Sequence, residues 1–328
     1  MSVLNILFVG SDEVARSIAK KSDSRDVDNY IYKDLKEGGL FSTISILRPN
    51  NYPDKPKPFF TSLTVSDFGI IEVNKVDGVF GEVIVSMASA GIKEGLVILN
   101  ASEGEWVDDS QVKDLLQQAG LSNWEFIEND GILIREKLID VLNQIEPNDA
   151  EGFVVAVDQA FTVKGVGLVA IGHVQSGKVN KHDELILAGS EGNAIARSLQ
   201  VMDLDVDVAN VGDRVGLAMR TAGPFREDLL GKGSILADSN ERFNVESKSK
   251  FELDKAAFQK NDLSKDDVVH LCSDLQFVVG RIESVDSKVE VSWESPLFIR
   301  KENPPVVLLA QLDSKPRIMG SAKLTRLS

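Results

Sequence analysis

The chain has 328 residues, 43% of them hydrophobic and 27% charged, and a formal net charge of −15. This length predicts two or three domains, and the composition excludes collagen, disordered tails and disulfide-rich scaffolds. The negative charge argues against a general binder of DNA or of membrane surfaces, because both are anionic. The single cysteine, Cys272, excludes an intrachain disulfide and favours a reducing compartment.

The N-terminal residues are typical of a buried strand. Between Met1 and Gly10 the chain has neither a basic start nor a small-residue cleavage site, so no signal peptide is expected. No apolar run approaches the roughly 18 residues that suggest a membrane-spanning helix. We therefore expect a cytoplasmic protein that does not contact a membrane.

Residues 1–148 alternate strand and helix patterns. Strands are predicted at Leu4–Val9, Ser45–Leu47, Phe68–Val73 and Leu96–Leu99, and helices at Val14–Lys20, Phe80–Ala90, Gln111–Ala119 and Ile134–Ile145. This alternation predicts a mostly parallel sheet with helices on both faces. The turn-forming run 146–149 marks the end of this α/β domain.

Residues 149–240 and 241–328 are each predicted to form a β-barrel. Helix signals nearly vanish, apart from a weak one at Lys255–Gln259, and the polar run 237–241 separates the two segments. Short β-branched runs recur between turn residues, at Leu168–Ile171, Leu185–Leu187, Val215–Leu217, Phe277–Val279, Val289–Trp293 and Val306–Leu309.

Charge is distributed unevenly along the chain. Residues 1–148 carry 14 basic and 24 acidic side chains, residues 149–240 carry 8 and 13, and residues 241–328 carry 14 of each. Because contacts to phosphate need Lys and Arg, the α/β domain is the least expected surface for a nucleic acid. An acidic, solvated surface that aids solubility is the alternative interpretation.

The most specific pattern lies in the second segment. It runs from Val157 through Lys164-Gly165-Val166-Gly167, continues at Gly212-Asp213-Arg214 and closes at Gly231-Lys232-Gly233. In order and spacing these landmarks resemble the second domain of translational GTPases of the elongation factor Tu group, and within it the archaeal selenocysteine-specific factor SelB. The resemblance implies an α/β GTPase-like (P-loop-type) domain followed by two all-β barrel domains, over essentially the whole chain.

The first domain departs from the family's phosphate loop, Gly-x-x-x-x-Gly-Lys-Ser/Thr, whose backbone N–H groups surround the phosphates. The run Gly10-Ser-Asp-Glu-Val-Ala-Arg-Ser17 occupies its place. Gly10 and Ser17 match, but Ala15 and Arg16 replace the second glycine and the lysine. The Asp-Glu pair between them adds negative charge where a triphosphate would lie.

The family's other nucleotide motifs are also incomplete. Residues 47–53 lack the Asp and Gly of the magnesium motif, and all three histidines lie beyond residue 150, so the catalytic histidine is missing. The guanine motif Asn-Lys-x-Asp is reduced to Asn100 and Glu103. A literal Asn-Lys-Val-Asp at 74–77 follows an earlier strand and stays open as an alternative guanine motif.

In the family, the second domain helps to hold the 3′-terminal adenosine and the aminoacyl end of tRNA through a Gly-Arg-Val-Glu-Arg-Gly-type turn. Residues 172–177 keep its glycines but replace its charged residues. The resemblance implies an acceptor-end site at His173, Gln175, Asp213, Arg214 and Arg220, and tRNA backbone contacts at Lys315, Arg317 and Lys323. Further phosphate contacts are possible at Lys164, Arg197 and Lys232, and ordinary surface chemistry is the alternative for each residue.

These observations predict an elongation factor-like protein that binds aminoacyl-tRNA or a tRNA acceptor end without hydrolysing GTP. No catalytic residue, metal site or DNA binding is expected, and GTP with Mg²⁺ is a cofactor only if the degenerate site still binds it. One fixed arrangement of the three domains is expected. Selenocysteine delivery is not, because SelB's mRNA-reading fourth domain is not expected in this chain. The alternatives are a module that docks on the ribosome or on other translation proteins, and a weak GTP-binding factor.

Overall fold

The computed structural model describes residues 3–35, 41–101, 106–145 and 150–325. In these ranges a mixed sheet with flanking helices is followed by two closed β-domains, so the predicted fold class is confirmed. The predicted boundary at 146–149 and the site residue Glu103 lie outside the described residues. The division at 148 and 240 stays a prediction, and we refer to the three segments as the first, second and third domains. None of the described helices has the length and apolarity that crossing a membrane requires.

The first domain is built on one sheet and five helices among its described residues. The strands are β1 (Val3–Val9), β2 (Lys20–Ser24), β3 (Val27–Leu35), β4 (Phe41–Pro49), β5 (Phe68–Val73), β6 (Gly95–Leu99) and β7 (Glu125–Ile127). The helices are α1 (Asp12–Ile18), α2 (Pro56–Leu63), α3 (Gly78–Ser89), α4 (Asp109–Ala119) and α5 (Gly131–Leu142).

The strand order is β2-β3-β4-β1-β5-β6-β7. All pairs from β4 to β7 are parallel, whereas β2, β3 and β4 pair antiparallel. Successive strand residues face opposite sides, so Leu7 packs with α2, α3 and α4 while Ile6 and Phe8 pack with α1 and α5. The predicted parallel sheet with helices on both faces is therefore confirmed.

Four elements of this domain were not predicted: β2, β3, β7 and α2. The predicted helix at Val14–Lys20 is too long, because α1 ends at Ile18 and the chain enters β2 at Lys20. Strand β2 reads Lys-Lys-Ser-Asp-Ser and is largely exposed. A strand without apolar side chains carries no periodic hydrophobic signal, so the sequence conceals it.

The second domain is a closed β-structure. Its strands are β8 (Phe153–Val163), β9 (Gly167–Asn180), β10 (Glu184–Leu187), β11 (Asn193–Val201), β12 (Leu204–Val206), β13 (Val208–Asn210), β14 (Arg214–Ala222) and β15 (Ile235–Ala237). Strand β10 pairs with β15 at one end of the sheet and with β11 at the other, which closes the ring. Gly165 and Gly167 make the β8–β9 turn at φ of 83° and 102°, where a Cβ would be strained.

The third domain is a closed barrel in the order β16-β19-β18-β17-β20-β21. Its strands are β16 (Phe243–Lys255), β17 (Val268–Ser273), β18 (Gln276–Val285), β19 (Val289–Arg300), β20 (Leu308–Ala310) and β21 (Ile318–Thr325). The weak helix predicted at Lys255–Gln259 is wrong. Strand β16 runs to Lys255, and the chain then turns through Phe258, whose φ is +64°.

A buried ion pair joins the first domain to the third. The Arg317 guanidinium lies 2.7 Å from Oε1 of Glu82 on α3, and the Arg317 backbone N–H donates to Oε2 of Glu82, also at 2.7 Å. The Tyr52 hydroxyl donates to the same carboxylate at 2.5 Å. Both members of the pair are almost fully buried. Two charges buried in this way hold the domains in one relative position, because separating them would leave each charge unpaired.

An apolar contact joins all three domains near their common junction. Val27, Leu47 and Val65 of the first domain form one buried cluster with Ala156 of the second and Leu275 of the third. The cluster excludes water from the junction and supports a single domain arrangement.

Replacing Arg317 with Ala should lower the thermal unfolding midpoint markedly, because Glu82 would stay buried without its partner. Breaking a buried pair typically costs about 3–5 kcal/mol, whereas an exposed pair contributes about 0–1 kcal/mol. Arg226→Ala is the matched control, since Arg226 pairs with Asp228 at the surface. Equal midpoints for the two variants, measured by calorimetry, would contradict the importance of the buried pair.

Candidate functional site

The place predicted for a phosphate loop lies at the carboxyl edge of the first sheet. Strands β2 to β4, which follow β1 in the chain, lie on one side of β1, and strands β5 to β7 lie on its other side. The strand order therefore reverses at β1. Ligands of open α/β sheets bind in the crevice that such a reversal creates. Gly10 follows β1 at this edge, and Asn100 follows β6.

The candidate phosphate loop is helical. Helix α1 begins at Asp12, so residues 12–17 are wound into a helix and do not form an open turn. Ser11 caps this helix: its Oγ accepts from the Val14 N–H at 3.2 Å, and its carbonyl accepts from the Ala15 N–H at 3.3 Å. A phosphate-binding turn needs several backbone N–H groups that converge on one anion. Here the Val14 and Ala15 N–H groups are bonded to Ser11 within the helix, so they are not open to a phosphate.

The three predicted residues on α1 point away from a common site. Ala15 is buried in the core beneath the sheet. Arg16 is exposed, with its Nε 2.5 Å from the carboxylate of Asp12. The Ser17 hydroxyl donates to the carbonyl of Val14 at 2.8 Å, one turn back along the helix. The structure therefore does not bring Ala15, Arg16 and Ser17 together around a phosphate position.

Glu72 is the central polar group of the edge, and the sequence analysis missed it. Its carboxylate accepts from the Ser11 N–H at 2.5 Å and from Nδ2 of Asn100 at 2.5 Å. The side chain is buried, and a Cβ at Gly10 would lie 2.7 Å from the Glu72 Cβ. Gly10 is therefore required for close packing against Glu72. Within the described part of this edge, a carboxylate of the protein is the anion that backbone and amide donors contact.

An ion-pair network flanks Glu72 on the β4 side of the edge. The Lys21 Nζ lies 3.0 Å from a carboxylate oxygen of Asp12 and 2.7 Å from one of Asp28. The buried Tyr30 hydroxyl donates to Asp12 at 2.5 Å, and Arg48 lies 3.2 Å from Asp28. Of the two acidic residues expected to repel a triphosphate, Asp12 is therefore held by Lys21 and Tyr30 of the same domain.

These contacts shift the pKa values of both carboxyl groups. Hydrogen bonds from Tyr30, Arg16 and Lys21 lower the pKa of Asp12 far below its usual range. Burial by itself raises the pKa of Asp28, but the hydrogen bonds from Lys21 and Ser24 outweigh it, and the net direction is downward. Both groups are therefore ionised at neutral pH.

The two sequences considered for guanine recognition lie at different strands. Asn100 follows β6 and contacts Glu72, as described above. Asp77, in the literal Asn-Lys-Val-Asp sequence, follows β5 and caps α3, where it accepts from the Val79 and Phe80 N–H groups at 2.9 and 3.0 Å. Lys75 lies 3.0 Å from the same Asp77 carboxylate. Asp77 thus has a helix-capping function that accounts for its position.

The turn expected at residues 172–177 is wrong, because these residues lie within strand β9. The strand continues through a bulge opposite Val154 and Val155. His173 lies on the face of β9 that points away from the barrel core, beside Arg214 and Ala156 near the contact with the first domain, and it is buried there. Burial followed by the nearby Arg214 charge lowers its pKa to about 4. His173 is therefore neutral at pH 7 and is not on the surface.

The remaining acceptor-end residues do not share one environment. Asp213 is buried and accepts from the Asn210 N–H at 2.7 Å, and burial raises its pKa. Gln175 is half-buried beside β8, and Arg220 is exposed on β14, six residues from Arg214. The structure thus separates the predicted site into buried residues and surface residues.

Arg214 lies at the contact between the first and second domains. Its guanidinium is 3.1 Å from Asp23 of the β2–β3 hairpin and 3.4 Å from Asp158 of β8. Lys232, a possible phosphate contact, lies 2.5 Å from Asp26 and 3.8 Å from Asp158. The two cations and three carboxylates form one cluster across the domain contact.

Of the three residues of the third domain predicted to contact the tRNA backbone, two are exposed. Lys315 and Lys323 lie on its surface. The prediction for Arg317 must be corrected, because this side chain is buried in the ion pair with Glu82 and is not available to a ligand.

Comparison with known proteins identifies relatives of the whole chain. No protein-family model matches the sequence. An uncharacterized protein of Methanocaldococcus jannaschii is 30% identical over 320 residues, which span 97% of this chain and 98% of the relative. The selenocysteine-specific elongation factor of Escherichia coli is 29% identical over 212 residues, or 61% of this chain and 32% of that factor. The corresponding factor of M. jannaschii is 30% identical over 117 residues, or 35% of this chain and 24% of that factor.

Solved structures of the elongation factor SelB from Methanococcus maripaludis share the fold. The apo form gives a TM-score of 0.77 at 18% identity and matches 100% of this chain and 80% of its own. The complex with the GTP analogue GPPNHP gives 0.78 at 18% identity and matches 98% and 78%. The chain belongs to the SelB/EF-Tu-like translational GTPase family.

The protein shares the fold of SelB over nearly its whole length. It spans about a third or less of the two selenocysteine-specific factors in sequence, but nearly all of the M. jannaschii relative. Ala15 within α1 favours the helix at residues 12–17, since Ala has the highest helix propensity and Gly disfavours helix.

One sequence signal could have revealed the central residue of this edge. Glu72 is the only charged residue in the apolar strand Phe68–Val73. A carboxylate in a buried strand needs hydrogen-bond partners, so it marks a position where polar groups must converge. Arg48 gives no comparable signal, because a cation at a strand end is common at a protein surface.

The Asp28 carboxylate should contribute stability that disappears in acid. Because its pKa is lowered in the folded state, this contribution is present above the ordinary aspartate pKa of about 3.9 and is lost as the pH falls through the folded-state pKa. Asp28→Asn should therefore unfold at a lower temperature than the wild type at pH 7, and the difference should shrink below about pH 4.

The control for this prediction is Asp140→Asn, on the exposed face of α5. It should match the wild type at both pH values in thermal melts followed by circular dichroism. A deficit for Asp28→Asn that stays constant from neutral to acid pH would contradict the assigned electrostatic contribution.

Proposed function

We propose that this protein is an elongation factor-like tRNA-binding protein that works without a GTPase cycle. Its ligand is an aminoacyl-tRNA or a tRNA acceptor end, held by the second and third domains, while the first domain is a fixed support. The single observation that carries the proposal is the helical state of residues 12–17, in a protein whose fold is that of SelB.

The loss of nucleotide chemistry follows from three features of the first domain. Donors of a phosphate loop are used within α1, the Ser11 N–H is occupied by Glu72, and Asp12 is held at the helix start by cations. A triphosphate would have to displace these contacts and approach two carboxylates. Each step opposes binding of a polyanion.

Purified protein should show no Mg²⁺-dependent GTP hydrolysis and no tight GTP binding. The physical reason is the closed edge just described, together with the absence of a histidine before residue 150. Titration with a fluorescent GTP analogue and a phosphate-release assay measure the two properties. Clear turnover that depends on Mg²⁺ would contradict the proposal and support a true GTPase with an unusual loop.

The surfaces that remain for RNA are on the two barrels. Arg220, Lys315 and Lys323 are exposed and can contact phosphate groups, and Gln175 has an amide that can bond a ribose hydroxyl or a base edge. The third domain has no net charge, so it offers less repulsion to RNA than the first domain with its net charge of −10.

Aminoacylated tRNA should bind without added nucleotide, more tightly than deacylated tRNA, and more weakly as salt rises. Replacing both Arg220 and Lys323 with Ala should weaken binding and reduce its dependence on salt, by a slope of about one per lost phosphate contact. Lys113→Ala, on α4 of the first domain, is the matched control and should bind as the wild type does. Fluorescence anisotropy at two salt concentrations makes the measurement.

A protein-docking module is the second candidate function, and two exposed apolar side chains of the first domain favour it. Trp106 is 79% exposed and Ile132 is 60% exposed, both on the acidic first domain. Large exposed apolar side chains within an anionic surface are suited to a basic protein partner. Absent tRNA binding, or equal salt-sensitive binding of both tRNA forms, would favour this candidate over the first.

A further inference from the structure

The β2–β3 hairpin of the first domain ends on the second domain. Strand β2 is the edge of the first sheet, and in the described residues its only strand partner is β3. The two strands are joined at residues 25–26, and residues 23–26 are referred to as the tip of the hairpin. Strand β3 pairs with β4 on its other side, and Asn50 donates to the backbone carbonyls of Arg25 and Asp26 at 2.8 Å each. The hairpin backbone is thus held by β4, while the side chains of its tip face another domain.

The tip makes specific polar contacts across the domain boundary. Oδ2 of Asp23 accepts from Arg214 at 3.1 Å and from Nε2 of Gln159 at 3.2 Å. Oδ2 of Asp26 lies 2.5 Å from the Lys232 Nζ. The Arg25 guanidinium lies over the Phe161 ring, 5.9 Å from its centre. All of the contacted residues belong to the segment whose landmarks resemble the tRNA-binding barrel of the family.

The contacted cations are suited to a phosphate as well as to a carboxylate. Arginine binds both anions through the same N–H groups, and lysine binds either as a point charge. The Arg214 side chain is 17% exposed and the Lys232 side chain is 24% exposed while the tip is in place. An RNA phosphate therefore cannot use these cations fully until the tip carboxylates have moved.

The cluster has two cations and three carboxylates, and this imbalance favours exchange of the tip carboxylates for another anion. Arg214 and Lys232 face Asp23 and Asp26 from the first domain and also Asp158 from their own domain. Asp158 stays with the two cations when the tip leaves, so they are not stranded without a partner. The tip contacts are partly exposed ion pairs, which contribute little individually and are weakened by salt.

We propose that the acidic hairpin tip is a built-in competitor for RNA: Asp23 and Asp26 occupy an anion-binding site at Arg214 and Lys232, and RNA phosphate binds there only when the tip leaves. This inference rests on the proposed function and adds a regulatory contact to it. A partner that draws the hairpin away from the second domain would increase RNA affinity without touching the RNA.

The test is the affinity of full-length protein for a fluorescent acceptor-stem RNA hairpin that ends in CCA. The double variant Asp23→Asn with Asp26→Asn should bind this RNA about three- to tenfold more tightly than the wild type, the range that two surface ion pairs can supply. Adding Lys232→Ala to the double variant should remove most of the gain, because the released cation is then absent.

A matched control separates release of the site from a general change in charge. Glu136→Gln with Asp140→Asn also removes two negative charges, from exposed positions on α5 of the same domain. If the control gains as much affinity as the tip variant, the proposal that the tip competes with RNA is overturned, while tRNA binding itself stands. The same conclusion follows if the wild type and the tip variant bind the RNA equally well. If neither protein binds the RNA, the proposed function fails, and the competitor fails with it.

Discussion

Backbone N–H groups can bind an external anion only if the chain leaves them open, and the conformation of residues 12–17 decides this for the whole first domain. In this protein these residues are the start of a helix: Ser11 accepts from the Val14 and Ala15 N–H groups, and Glu72 accepts from the Ser11 N–H. The fold does not need the open turn, because its core consists of apolar residues on both faces of the sheet. The architecture therefore survives a change that closes the ligand edge.

Once the edge is closed, the domain arrangement needs another source of stability. Ion pairs supply it at two places: Arg317 with Glu82 between the first and third domains, and the Arg214 and Lys232 cluster between the first and second. The two differ in burial. The first is enclosed and costly to separate, whereas the second is partly solvated and more easily exchanged. The third domain is thus held firmly against the first, while the contact with the second is the one that a competing anion can alter.

The sequence predicted the fold wherever apolar periodicity was strong. Strand Phe68–Val73 was predicted at its observed ends, and short β-branched runs located parts of barrel strands such as β9, β10, β14, β18 and β19. Polar strand β2 and the first turn of α1 escaped, because neither has a repeating apolar pattern. Resemblance to the family located the segments that depart from its motifs, but it did not predict that residues 12–17 form a helix.

The site was predicted less well than the fold because its important contacts join residues far apart in the chain. His173 and Arg317 looked like surface residues from sequence neighbours alone. His173 is nevertheless buried beside Ala156 at the junction of the domains, and Arg317 is buried against α3 of another domain. Asp23 offered no signal, since an acidic residue in a polar run is usually solvated. Its relation to Arg214, 191 positions away, exists only because the hairpin and the second domain are packed together. A residue that excludes a ligand can therefore lie outside every motif that binds one, and tertiary structure is needed to find it.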